Sequence, residues 1–168
     1  MHAKDILFLY DYHCWARDRL LERVTALTPE QLTAAAPYAH GSIHNTLVHM
    51  LGAEWLWRRR CQGGPSPTAL PTVDDYPTLD ALQQAWAQEE WLMRGYLRDL
   101  TDAQLESVVH YTTTRGDPRE NVVWHILLHL VNHGTDHRSA VAASLTALGH
   151  SPGDLDLVQF LREGATAD

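Results

Sequence analysis

Four histidines, His125, His129, His133 and His137, follow one another at four-residue steps along Asn121 to Leu148, N-V-V-W-H-I-L-L-H-L-V-N-H-G-T-D-H-R-S-A-V-A-A-S-L-T-A-L. On an α-helix four residues make one turn plus about 40°, so successive members lie nearly above one another on one face. Two neutral imidazoles one turn apart can chelate a single ion, which is why His-x3-His on a helix suits zinc, nickel and iron. The spacing allows any adjacent pair to do this. The surroundings favour His133 and His137, which sit among Asn132, Gly134, Thr135, Asp136 and Arg138; small and polar neighbours leave room for solvent and supporting hydrogen bonds. His125 and His129 are flanked by Ile126, Leu127, Leu128 and Leu130, which suggests packing instead.

The elements that must position such a pair are long amphipathic helices. From about Ala3 to Ala26 the face Ile6, Tyr10, His13, Leu20, Val24 and Leu27 recurs at helical steps, interrupted by Arg17. Ser42 is an N-cap for a second helix reaching about Cys61, with Ile43, Leu47, Met50, Leu51 and Trp57 on its apolar side, His49 among them, and His40 and His44 exposed at its entrance. Gly63 to Pro77 holds four prolines and two glycines and reads as an irregular connection. Fifteen residues reach about 50 Å when extended, whereas a 20-residue helix is about 30 Å long, so the loop can cross from one end of a bundle to the other. Thr78 caps a third helix running to about Leu100, with Leu79, Leu82, Trp86, Leu92, Met93 and Leu97 for the core. The histidine helix is the fourth and stops at Gly149.

Smaller features fill the gaps. Thr28-Pro29-Glu30-Gln31 and Thr101-Asp102-Ala103-Gln104 each carry a capping-box pattern within L-T-x-x-Q-L, a weak repeat placed after a long helix both times. Ser107 to Glu120 has β-formers around Arg115-Gly116-Asp117-Pro118 and reads as a short hairpin, and Asp154 to Glu163 as a short amphipathic C-terminal helix. The expected fold is therefore all-α: a four-helix bundle in up-down-down-up order, with a long crossover loop between helices 2 and 3, forming one domain over residues 1–168. In such a bundle a third ligand comes from a facing helix. His49 is the best candidate, since it lies mid-helix at a depth matching His133 and His137; His13 competes for the role. Without paired Glu-x-x-His motifs, a mononuclear site fits better than a di-iron one.

Composition narrows the partners. The chain has 168 residues, 45% of them hydrophobic and 20% charged, with a formal net charge of −8, and Lys4 is the only lysine. That balance argues against binding a nucleic-acid backbone. Arg58, Arg59 and Arg60 read as a solvated helix end complementing the helix dipole. Cys14 and Cys61 are too few for a disulfide framework, and Cys14 reads as a packed hydrophobe. No signal peptide or apolar span is visible, so the expected location is the cytoplasm, with no membrane partner. The tryptophans Trp15, Trp55, Trp57, Trp86, Trp91 and Trp124 read as core or dimer interface rather than a pocket lining.

Three stretches together resemble the DinB family: N-H-G-T-D-H-R at Asn132 to Arg138, L-V-H-M-L-G-A-E-W-L-W at Leu47 to Trp57, and Y-D-Y-H-C-W-A-R-D-R-L-L at Tyr10 to Leu21, with D-L-D-L-V-Q-F-L near the C-terminus. The resemblance implies an up-down-down-up bundle, a homodimer, and three histidines on a divalent ion, carried here by His49, His133 and His137. Zinc or nickel leads, with iron or manganese as alternatives. It also implies a small-molecule substrate and a thiol S-transferase using a low-molecular-weight thiol such as bacillithiol or mycothiol. The alternatives are an amide or ester hydrolase, or a non-catalytic metal-binding stress-response bundle. Asn132, Glu54 and His129 are the candidates for supporting or proton-transfer roles, and Arg138 for holding an anion or making a structural ion pair. The family motif usually continues H-R-G-Q; here Ser139-Ala140 follow Arg138, which changes the wall beyond the ligands rather than the ligands themselves.

Overall fold

The computed structural model describes residues 1–37 and 40–164. Among these it contains seven helices, α1 (Ala3–Val24), α2 (Pro29–Thr33), α3 (Ile43–Cys61), α4 (Leu79–Asp99), α5 (Asp102–Leu105), α6 (Val123–Ala147) and α7 (Leu157–Gly164), and one antiparallel hairpin, β1 (Val108–Thr112) with β2 (Pro118–Val122). The chain is thus mostly helical. The expected caps set the boundaries: Ser42 Oγ accepts from the Asn45 N–H at 3.0 Å, and Thr78 Oγ1 from the Ala81 N–H at 3.2 Å. Both L-T-x-x-Q-L segments fold as capping boxes. Gln31 and Gln104 accept from the N–H of Thr28 and Thr101 at 2.9 Å, and each threonine hydroxyl accepts in return at 3.3 Å. At the end of α6, Gly149 takes φ +82° and the His150 N–H returns to the Leu145 carbonyl at 2.8 Å, a Schellman closure.

The four long helices touch in a ring: α1 packs on α6 and α4, and α3 packs on α6 and α4. One core gathers Ile6, Tyr10 and Cys14 of α1 with Met93 and Leu97 of α4 and Ile126, Leu127 and Leu130 of α6, and Trp57 and Cys61 of α3 pack against it. Another gathers Leu20 and Val24 of α1, Ile43, Leu47 and Leu51 of α3, Leu82 and Trp86 of α4, and Val141 and Leu145 of α6. The long connection lies back on α3, with Pro71 so close that a Cβ at Gly52 would stand 2.9 Å from Pro71 Cδ. Helix α7 docks on α1 through Phe160, whose ring centroid is 5.6 Å from Trp15 and 5.9 Å from Tyr12.

Three readings of surface and core are corrected. Arg58 and Arg60 are buried, and only Arg59 of that run is exposed. Arg58 meets Glu89 of α4 through two hydrogen bonds, Nε to Oε1 at 2.5 Å and Nη2 to Oε2 at 2.7 Å, and Arg60 lies over the rings of Trp57 and Tyr111. The run reads as a solvated end only if the partner on α4, far away in sequence, is left out. Trp91 is 65% exposed on α4, which removes the core reading and keeps only the interface one. His44 is buried in the first turn of α3, not exposed. Arg17, the interruption of the α1 face, is also buried; it pairs with Glu90 and lies over Trp86. Cys14 is a packed hydrophobe as expected, its thiol pushed up to about 12 by burial.

A buried ion pair costs most when one partner is removed. Glu89→Ala, which strands the Arg58 guanidinium, is expected to lower the unfolding free energy by about 3–5 kcal/mol. The double replacement Arg58→Met, Glu89→Leu should recover most of that loss in the same urea titration; a single-variant cost below about 1 kcal/mol would show the pair to be solvated in solution.

Candidate metal centre

Helix α6 presents two polar stripes. Gly134 and Arg138 face α1, and His133 and His137 face α3. The first stripe decides how α6 sits. A Cβ at Gly134 would lie 2.3 Å from His13 Cε1 and 2.6 Å from its Nδ1, so only glycine lets α6 approach α1 this closely. Into that contact run the buried side chains of a polar chain. Arg138 Nη1 donates to His13 Nδ1 at 2.9 Å, and His13 Nε2 lies 3.0 Å from Glu54 Oε1. Arginine can only donate, so His13 Nδ1 is the acceptor and its proton sits on Nε2, facing Glu54. Glu54 accepts further from Trp86 Nε1 at 2.9 Å and Tyr10 OH at 3.3 Å. Burial pushes the Glu54 carboxyl up, but His13, Arg17 and Trp86 outweigh it and hold it below the usual carboxylate range; His13 is lowered, chiefly by burial, and is neutral.

The second stripe meets His49 of α3. His133 Nε2 is 3.0 Å from His49 Nε2 and 3.0 Å from His137 Nε2. One sp² nitrogen carries either a proton or a lone pair, so His133 Nε2 can form one good hydrogen bond here and not two. A cation answers all three nitrogens at once. Two nitrogens about 2.1 Å from a common ion stand about 3.0 Å apart at a right angle and about 3.4 Å at the tetrahedral angle; the two observed separations of 3.0 Å match the right angle. Burial pushes His49 down to about 4 and His133 to about 3, with the neighbouring imidazoles adding to both. His137 is lowered by burial and by His40. The rings are therefore neutral near pH 7 and offer lone pairs.

A second set overlaps the first. His40, which precedes α3, brings its ring centroid to 3.9 Å from His49 and 4.8 Å from His137, and His40, His49 and His137 form a group whose ligand atoms lie within 4.8 Å of one another. The two sets share His49 and His137. Two of the separations in the helical set are 3.0 Å, and the His40 ring stacks on His49. Sequence reasoning set His40 aside as an exposed residue at the helix entrance; it is exposed, yet it faces the cluster.

The remaining candidates fall elsewhere. His13, the competitor for third ligand, is held by Glu54 and Arg138. Glu54 serves that buried chain, its hydrogen bonds going to Tyr10, His13 and Trp86 rather than to His49, His133 or His137. Asn132 is exposed and has no side-chain hydrogen bond among the described residues. His129 is also exposed, but its ring centroid stands 5.6 Å from those of both Trp57 and His133. With Trp57, Asn121, His125 and Ile126 it lines a hollow of about 330 Å³ beside the cluster. The wider cleft of about 780 Å³ between residues 64–68 and the hairpin contains none of the four clustered histidines. Arg138 holds no carboxylate and no open anion site; it is 1% exposed and bonded to His13 and Thr135. Ser139, at the departure from the usual motif, is exposed and turns its hydroxyl to the Thr135 carbonyl at 2.8 Å.

The family model described as DinB family matches residues 1–166. Protein DinB of Bacillus subtilis (strain 168) is 24% identical over 159 residues, which cover 91% of this chain and 92% of that protein.

Two outcomes test the buried chain. Gly134→Ala gains about 1 kcal/mol of helix propensity, yet the clash with His13 should leave the variant about 1–3 kcal/mol less stable in urea. The second concerns acid. Because the folded pKa of Glu54 lies below its unfolded value, its stabilisation is present above the unfolded value and is lost as pH falls through the folded one. Glu54→Gln should therefore cost about 2–3 kcal/mol at pH 7 and flatten the loss of stability between neutral pH and the acid range. An unchanged acid limb in the variant would remove Glu54 as its source.

Proposed function

The chain belongs to the DinB family, and on that premise we propose that it is a metal-dependent enzyme holding one divalent ion on His49, His133 and His137. The observation that carries this reading is the convergence of three Nε2 atoms, two separations being 3.0 Å, on rings kept neutral by burial. Three neutral ligands leave positions on the ion free, the pattern of a catalytic rather than a closed structural site. Zinc or nickel suits the all-imidazole set best, with iron or manganese next.

The finer reading is a thiol S-transferase with a low-molecular-weight thiol as co-substrate. When bound, such an ion supplies Lewis acidity that favours the deprotonated form of a thiol held beside it. The chain's own residues do the rest. The helices fix three rings; His129, exposed and lowered by burial of its ring, stands between the cluster and the hollow lined by Trp57 and Ile126 and can take up the thiol proton. The hollow has room for a small, partly apolar electrophile. Amide or ester hydrolysis would use the same ion to activate water.

We also read the architecture as an up-down-down-up four-helix bundle. The support is that one core joins the N-terminal halves of α1 and α6 to the C-terminal halves of α3 and α4, and the other core joins the reverse set. We propose a cytoplasmic homodimer as its setting; among the described residues no helix is long and apolar enough to cross a membrane.

Protein purified without an affinity tag should carry about one equivalent of divalent ion, and His49→Ala and His133→Ala should each lose it while remaining folded. Conjugation of a small thiol to an electrophile by the loaded protein should stop on chelation. Retention of the ion by His49→Ala would sink the interhelical site, and ester or amide cleavage without thiol conjugation would favour the hydrolase.

A further inference from the structure

The helical histidines account for three of the four rings in the cluster; His40 is left over. Its main chain is anchored where it can serve the site. The His40 N–H donates to Thr46 Oγ1 at 2.9 Å, and the fully buried Thr46 donates in turn to the Ser42 carbonyl at 2.8 Å, tying His40 to the first turn of the helix that carries His49. A bridge between Ala36 and Gly41, with the Ala36 N–H on the Gly41 carbonyl at 3.0 Å, closes the loop around it. Its ring stacks on His49 at 3.9 Å and tilts against His137 at 4.8 Å.

From this we infer that His40 is a fourth, displaceable ligand, which covers the free side of the ion until substrate takes its place. The inference rests on the metal site proposed above. Its distances allow it. The ligand atoms of His40, His49 and His137 lie within 4.8 Å of one another, against about 3.4 Å for ligands at the tetrahedral angle on an ion with bonds near 2.1 Å. A closure of at most about 1.4 Å in any one of these separations therefore brings His40 into the sphere.

Its anchorage makes it the removable member. His49, His133 and His137 ride on α3 and α6, and moving any of them disturbs helix packing. His40 is exposed and lies on a connection, so swinging its ring out uncovers no core. Four imidazoles would close a tetrahedral ion as in structural sites, and three would leave it open as in catalytic ones. Exchange of His40 for a donor atom of the substrate moves the site between these states, with no bond broken other than the one to the ion.

The test uses cobalt(II) as the ion and azide as the incoming donor, with the parent, His40→Ala and His49→Ala. By competition with a chromophoric chelator, His40→Ala should bind one cobalt at least about tenfold more weakly than the parent, since even a partner outside the first sphere is worth that much. Its visible spectrum should differ from the parent's, and azide should perturb it at lower concentration than it does the parent's. Thermal melts that match the parent would show that the fold is intact. Equal cobalt affinity and equal azide titration in His40→Ala, with the ion lost only in His49→Ala, would mean that His40 merely stacks beside the site. A parent that binds no cobalt, or a His49→Ala that keeps it, would overturn the metal site itself and His40's role with it.

Discussion

The close contact of α6 with α1 at Gly134 is the constraint on which the rest depends. It places the Arg138 guanidinium, 1% exposed, and the Glu54 carboxylate, 2% exposed, on opposite nitrogens of one neutral imidazole, His13. Neither charge is solvated, and they do not touch. Each is satisfied through His13 and through neutral donors and acceptors, Thr135 for Arg138 and Trp86 and Tyr10 for Glu54. Because three helices and the Trp86 of a fourth contribute, the chain fixes the rotation of α6 about its axis. A helix turned by one residue, about 100°, would carry His133 and His137 away from α3. The arrangement of the three histidines is thus set by a network that contains none of them.

Two kinds of histidine result, one fully buried and one half-buried, and their chemistry differs although both are neutral. His13 has a partner on each nitrogen, so its proton is assigned and it has no lone pair to give. His49, His133 and His137 turn Nε2 toward one another and are under-satisfied by hydrogen bonds alone. Desolvation lowers all four, but only in the second group do ring nitrogens converge, an arrangement that a bound cation would satisfy.

Much of this was legible in the sequence wherever the signal is local. Ser42, Thr78, the two L-T-x-x-Q-L boxes and Gly149 set helix ends through contacts within six residues, and they fold as read. The grouping of His49 with His133 and His137 followed from depth along facing helices, a coarse argument that needs no side-chain detail. Adjacent residues proved a poor guide to environment. His125 and His129 have leucine neighbours yet are exposed, because residues one apart on a helix point 100° apart; Ile126, Leu127 and Leu130 take the buried side. Arg58 and Arg60 were misread for another reason: their partners, Glu89 and the Thr112 carbonyl, are 31 and 52 residues away. His40 gave no periodic signal, since a loop residue has none. Its one local clue was its place just before the Ser42 cap.

The division between rigid and adaptable parts then follows from the fold. An ion site made wholly from helical side chains can hold its ligands with little strain, but it changes coordination only by moving helices against a packed core. A site with a loop ligand can change by moving one side chain. Here the helical trio stands on a frame locked by Arg138, His13 and Glu54, while the loop histidine is tied at its backbone and exposed at its ring. The hollow beside His129 opens on the same helix, one turn before His133. Anchored main chain with a free ring is what an exchangeable ligand requires: the anchor keeps the effective concentration of the imidazole high, and the exposure keeps the cost of its release low.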